Sequence, residues 1–354
     1  MKANAAAFGV IYLSVGMLLV APLFIPMSSN SLIAPEQMAP VALSTPDPPD
    51  DTMPSWLNDE ERERWGPRAQ LLSTLLVFSW IGGALLFFAL LLFSPHFRQW
   101  AWTFPGRTAP AFCWPDLMAA LVLLLGCQRL IYALQFHVLA CFNLAHDAAG
   151  RFALSMLSLL VLYAVMLPVL IWLARRRGGP GGASSFWPVH KTPGLMPSSD
   201  ISFDLLVGLG TYLLMSWLTL AAHLLNKYLV FSLGGKVDQN PLVDIFTQEC
   251  GGQGRFWVLA ALALVATFGV AFFEELLFRG LLYNVMQRYM ATYLAAPLAA
   301  LAFAAVHGVV SQIIPLFVLA LLMTYAYERS GRLLAPIVLH ATNNGLIMVL
   351  LLCG

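Results

Sequence analysis

Residues 71–93 read LLSTLLVFSWIGGALLFFALLLF, twenty-three positions without a single ionisable side chain. A helix of that length covers about 34 Å at 1.5 Å per residue, enough to cross the ~30 Å hydrocarbon core of a bilayer. Similar apolar runs lie near 5–26, 116–141, 152–174, 203–225, 256–280, 294–310, 312–327 and 333–352. Of the 354 residues, 59% are hydrophobic and 10% charged. A soluble domain carries roughly 25% charged residues, so this composition cannot build a water-facing surface. It excludes an ordinary cytosolic enzyme, a disordered scaffold and a disulfide-rich secreted domain. The expected fold class is all-α: a polytopic transmembrane helix bundle of about eight or nine spans.

The remaining bulk properties narrow the partners. A net charge of +1 gives no reason to expect nucleic acid; the expected surroundings are lipid. Cys113, Cys127, Cys141, Cys250 and Cys353 form no CxxC pair, so they read as packing residues rather than a redox or zinc framework. The run at 5–26 is long and lacks a clear cleavage site, which favours a retained anchor over a signal peptide. Basic residues, above all Arg175–Arg177 against a span end, favour a cytoplasmic amino terminus. The expected localisation is that of a multi-pass integral membrane protein, in the plasma membrane if the source is bacterial.

Two stretches read as extramembrane. Residues 28–70 hold PDPPDD and the amphipathic-looking WLNDEERERW, a solvated loop with one short helix. Residues 175–200 contain RRRGGPGGASS, whose glycines and proline cannot hold a regular helix. They divide the chain into an amino-terminal accessory module (1–174), a linker (175–200) and a carboxy-terminal module (201–354). In span three, Gln128, Arg129, Gln135 and His137 are expensive in lipid and must face protein or water. They read as interhelical hydrogen bonding.

The carboxy-terminal module carries the chemistry. Between Phe256 and Val285 the ionisable residues are Glu274, Glu275 and Arg279, in AFFEELLFRG. Glu275 and Arg279 are four apart, on one helix face and in the favourable order of acid before base. Glu274 is rotated by about 100° from its neighbour and is left with a carboxylate for another task. The next span contributes FAAVHG, with Phe303 and His307 one turn apart. The last contributes LHATNNG, with His340 and Asn344 spaced likewise. A carboxylate holding a water beside an imidazole is a general-base arrangement for hydrolysis. An imidazole and a carboxamide nearby can donate hydrogen bonds to a developing oxyanion.

EExxxR, FxxxH and HxxxN, in that order on successive hydrophobic segments, resemble the CAAX protease and bacteriocin-processing (CPBP, Abi-like) family of intramembrane endopeptidases. The stretch YERSGRLLAPIVLHATNN, Tyr327–Asn344, is similar to that family's connector into its last motif. The resemblance covers roughly 255–350; residues 1–200 carry no signature of it. It implies a glutamate-dependent protease whose site opens within the membrane. In that reading Glu274 activates water with His307, while His340 and Asn344 steady the oxyanion. Glu275 and Arg279 brace the helix, and Phe303 packs beneath the site. The implied partners are a membrane peptide or a lipidated protein, prenylated CAAX-type or bacteriocin-type. No metal is required in this reading. A zinc hydrolase with Glu274, His307 and His340 as ligands is one alternative. A non-catalytic immunity or scaffold protein is another, and a proton-coupled transporter using Glu274 and Glu275 a third.

Overall fold

The computed structural model describes residues 67–102, 112–141, 148–177, 201–233, 260, 263–309 and 312–353. The expected span at 5–26, the helix expected around WLNDEERERW and linker positions 178–200 lie outside the described residues. Among the described residues every regular element is helical. Helix α1 is Pro67–Phe93 and α2 is Pro95–Trp102, each opening on a proline, whose fixed φ suits a first helical turn. Helices α3 (Trp114–Cys141) and α4 (Ala148–Arg177) complete the amino-terminal part. Two sequence boundaries therefore move. Residues 67–70 leave the expected loop for α1, and Arg175–Arg177 leave the expected linker for α4.

The expected span at 203–225 is two helices, α5 (Ile201–Met215) and α6 (Trp217–Ser232), bent by 43°. At the break the Trp217 indole N–H donates to the Leu214 carbonyl at 2.9 Å, and the Thr219 hydroxyl to that of Ser216 at 2.6 Å. The Ser216 carbonyl also accepts the backbone N–H of Leu220 at 3.2 Å, so the second helix starts with its ladder intact. A long run with two π-helical stretches follows: Val265–Gly269, then α7 (Val270–Glu275), Leu276–Tyr283 and α8 (Asn284–Tyr289). Helices α9 (Thr292–Val306), α10 (Ile313–Ser330) and α11 (Leu334–Cys353) close the chain.

Among the described residues three helices are long and apolar enough to cross a membrane, or four if the bent α5–α6 pair is one span. Helix α9, at 15 residues, reaches only about 22 Å, and the π-bearing run is interrupted by Glu274, Glu275 and Arg279. The outward faces remain oily: Phe88, Leu92 and Phe93 on α1 are about half to more than four-fifths exposed.

One apolar core runs through both modules, from Leu117 and Met166 to Phe303, Met323 and Leu339. Trp114 stacks on Tyr289 at 5.7 Å, and Arg288 donates to the Phe112 carbonyl. Helix α5 is held against the start of α11 by a buried Asp204 paired with Arg332. There the backbones nearly touch, because a Cβ on Gly208 would lie 2.6 Å from the Ala335 carbonyl oxygen and 2.9 Å from the Val338 Cβ. Gly210, two residues on, faces open space. Gly208→Ala is expected to destabilise the fold by about 1–3 kcal/mol through overpacking. Gly210→Ala should be neutral or stabilising by up to about 1 kcal/mol, since Ala is the better helix former. Thermal unfolding of the two variants in one detergent checks the contrast.

Candidate active site

The two adjacent glutamates sit at the junction between an α-helical turn and a π-helical stretch. A π turn bonds i to i+5, so it widens the helix and loosens the usual pairing of carbonyls; such turns are rare and recur at functional sites. Here Asn284 compensates. Its amide donates at 2.9 Å to the carbonyls of both Arg279 and Gly280, and at 3.0 Å to the Tyr327 hydroxyl. The acid-before-base spacing holds even so. Arg279 Nη1 donates to Glu275 Oε1 at 2.8 Å, and both side chains are buried.

Glu275 does more than pair. The same Oε1 accepts from Nδ1 of His340, 65 residues further along the chain, at 3.0 Å. Arg279 is also anchored twice, since Nη2 donates to the Ala320 carbonyl at 2.8 Å and the guanidinium lies 5.0 Å from the Phe303 ring centre. Such additional hydrogen bonds help to offset the cost of burying an ion pair, although Oε2 of Glu275 has no partner among the described residues. The brace expected on one helix in fact ties together the glutamate run, α9, α10 and α11.

Glu274 is left different. It is 20% exposed, and its buried Oε2 has no hydrogen-bond partner among the described residues. The nearest imidazole nitrogen given to it is Nε2 of His340, at 3.9 Å. That is too long for a hydrogen bond. With Nδ1 donating to Glu275, the neutral His340 ring presents Nε2 as an acceptor. Donation from Nε2 to an oxyanion calls for the doubly protonated ring, whose charge the two carboxylates flank.

His307 terminates α9, and Gly308 behind it adopts φ 69°, a left-handed conformation that favours glycine and stops the helix. At a helix end the last carbonyls have no backbone donor. His307 fills one of them, its Nδ1 donating to the Phe303 carbonyl at 2.7 Å. Because a carbonyl only accepts, the proton is on Nδ1 and Nε2 keeps a lone pair. Phe303 is fully buried and is more than core filling. Its ring centre lies 4.7 Å from that of His307 and 5.8 Å from that of His340. It is the shared platform on which both imidazoles and Arg279 are seated.

The structure thus brings Glu274, Glu275, Arg279, Phe303, His307 and His340 together around one aromatic ring. The imidazole nitrogen within 4 Å of Glu274 belongs to His340, whereas His307 bonds back onto its own helix. Asn344 stands a turn further along α11. Its amide donates to the Ala266 carbonyl at 3.4 Å, and its oxygen accepts from Asn343 at 3.5 Å. Both bonds are long and weak, so the carboxamide is tethered to the first π-helical stretch rather than locked there.

Among the described residues no three His, Cys, Asp or Glu side chains gather so as to hold a metal ion. Glu274, His307 and His340 are therefore not assembled as a zinc ligand set, and Nδ1 of each histidine is already engaged. A cavity of about 740 Å³ opens between α3 and α4, lined by Met118, Leu123, Leu130, Val169 and Trp172 among others. It is almost wholly apolar and includes none of the acid, imidazole or amide groups, so it is not the catalytic hollow.

Sequence reading missed three contributors: Asn284, the Ala320 carbonyl and Tyr163. Tyr163 of α4 stacks on Phe273, the residue before Glu274, with ring centres 4.0 Å apart and planes 19° from parallel. A signal for it existed. Tyrosines of membrane helices favour the two interfaces, and Tyr163 stands at the middle of its apolar run.

Residues 256–346 match the family described as Type II CAAX prenyl endopeptidase Rce1-like. The matched segment holds all the motif residues, Glu274 to Asn344, and coincides with the stretch that carried the resemblance. No curated protein and no solved structure matches the chain.

Proposed function

We propose, from the premise that residues 256–346 are an Rce1-like segment of the CAAX protease family, that the chain is an intramembrane endopeptidase. It hydrolyses a peptide bond in a membrane-associated substrate with water activated by Glu274. The family's described activity, removal of the end of a prenylated CAAX protein, makes a lipidated carboxy-terminal peptide the substrate to try first. In this reading the reaction lies in the bilayer, which α1, α3, α10 and, taken as one span, the bent α5–α6 pair are long and apolar enough to cross.

One observation carries this reading: two adjacent carboxylates have been driven into opposite roles. Glu275 is fully buried, and its Oε1 accepts from both Arg279 and His340. Glu274 makes neither of those bonds and is 20% exposed beside His340, so it is the carboxylate that can meet water as a proton acceptor. In the proposed cycle Glu274 takes a proton from water, and the hydroxide adds to the scissile carbonyl carbon. The carbonyl π pair moves to oxygen, and in this reading the doubly protonated His340 ring and the Asn344 amide donate to the developing charge. Collapse expels the amine, which takes the proton back from Glu274. His307, with Nε2 free to accept, orients the water.

The test is cleavage of a farnesylated CAAX peptide by the purified full chain in liposomes, read by mass spectrometry with and without a strong zinc chelator. The expected result is release of the carboxy-terminal tripeptide at a rate the chelator leaves unchanged. Loss of turnover with chelator, restored by added zinc, would instead establish the metal-dependent alternative.

A further inference from the structure

We infer that Tyr163, supplied by the amino-terminal module, is a catalytic residue of this site, donating a hydrogen bond to the substrate oxyanion. The inference rests on the hydrolytic reading above and extends it to a residue outside the matched segment 256–346.

Helix α4 runs 30 residues, Ala148–Arg177, and Tyr163 lies inside its apolar stretch Leu157–Leu173, where a tyrosine hydroxyl favours a polar partner inside the protein. The ring is fixed by its stack on Phe273, and Phe273 itself is buried. Two χ angles and one flat contact leave the hydroxyl little choice of direction. The residue next to its platform is Glu274, and the phenol lies within the electrostatic field of that carboxylate. Tyr163 is only partly buried. An O–H on a ring held by an aromatic stack, in the field of the Glu274 carboxylate, is a donor for charge that develops as water attacks.

Proton accounting is simple. Tyr163 keeps its proton throughout and only donates a hydrogen bond to the oxygen that receives the carbonyl π pair. Glu274 performs both transfers. The accessory module is thus part of the reaction centre, which explains why one core joins it to the carboxy-terminal helices.

The experiment compares wild type, Tyr163→Phe and Glu274→Gln as full chains in liposomes, using a farnesylated CAAX peptide as substrate. Two further probes are the same peptide ended as an aldehyde at the scissile carbonyl, whose hydrate mimics the tetrahedral intermediate, and an uncleavable amide isostere. Phenylalanine keeps the stack and removes only the hydroxyl. Expected for Tyr163→Phe are a kcat about 10²-fold lower, a KM within twofold of wild type and an unchanged melting temperature. Aldehyde binding should weaken by the same factor as kcat/KM, with binding of the isostere unaffected. A wild-type kcat, or equal weakening of aldehyde and isostere, overturns the inference. Full cleavage by Glu274→Gln would instead overturn the underlying hydrolytic reading, so the two failures are distinct.

Discussion

Glu274→Gln leaves the chain folded and lowers turnover by roughly 10²–10⁴-fold, the contribution expected of a positioned general base. The substitution keeps size and shape and removes the only property the mechanism uses, the ability to take and return a proton. The fold does not depend on that property. Oε2 of Glu274 has no hydrogen-bond partner among the described residues, whereas the bonds that knit α9, α10 and α11 to this helix run through Glu275 and Arg279. Removing an unpartnered buried acid relieves desolvation, so the melting temperature should hold or rise. Cleavage rate and thermal unfolding measured on the same preparation decide the matter. Retained cleavage at a wild-type rate would remove Glu274 from the chemistry, and an intact biological role despite lost cleavage would favour the immunity or scaffold reading.

Arg279→Met and Glu275→Gln form the second large effect, on stability. Each single change strands its partner in a site with almost no solvent, and breaking a buried pair in this way costs about 3–5 kcal/mol. For Arg279→Met the loss extends to the bond with the Ala320 carbonyl and the contact over Phe303. The double variant removes both charges and is expected to recover a large part of the loss, because two neutral side chains of similar volume have no uncompensated charge to bury. Reversible unfolding of the four proteins in a mild detergent gives the coupling energy directly. Additive losses would mean that the pair does not act as a unit. Activity should fall in all three variants, since Glu275 orients His340 through Nδ1.

Much of this site could be read from residue spacing. A helix has a constant rise and turn, so Glu275 and Arg279 at i and i+4 were bound to meet, and Phe303 and His307 lie one turn apart for the same reason. Order along the chain placed the three motifs on successive apolar segments, and Gly308 marked the end of the helix bearing His307. Other features were not legible. Periodicity says nothing about which neighbour a face will meet, so the bond of His340 to Glu275 and its approach to Glu274 were invisible. Nor does a 3.6-residue repeat foretell π turns. Asn284 reads as one more polar residue until it is seen closing two loosened carbonyls. The bend at Ser216 and the short α9 were likewise not legible in composition.

Composition and local spacing alone determined that the chain is helical, that its surface suits lipid, and that one acid of a pair is spent on an arginine four residues away. These depend on solvation and on geometry within a single helix, which are properties of nearby residues. Tertiary structure alone decided that His340 bonds Glu275 and approaches Glu274, that Phe303 seats both rings, and that Tyr163 of α4 stacks on Phe273. Those are contacts between residues tens to more than a hundred positions apart, set by how whole helices pack, and no repeat within any one helix encodes them.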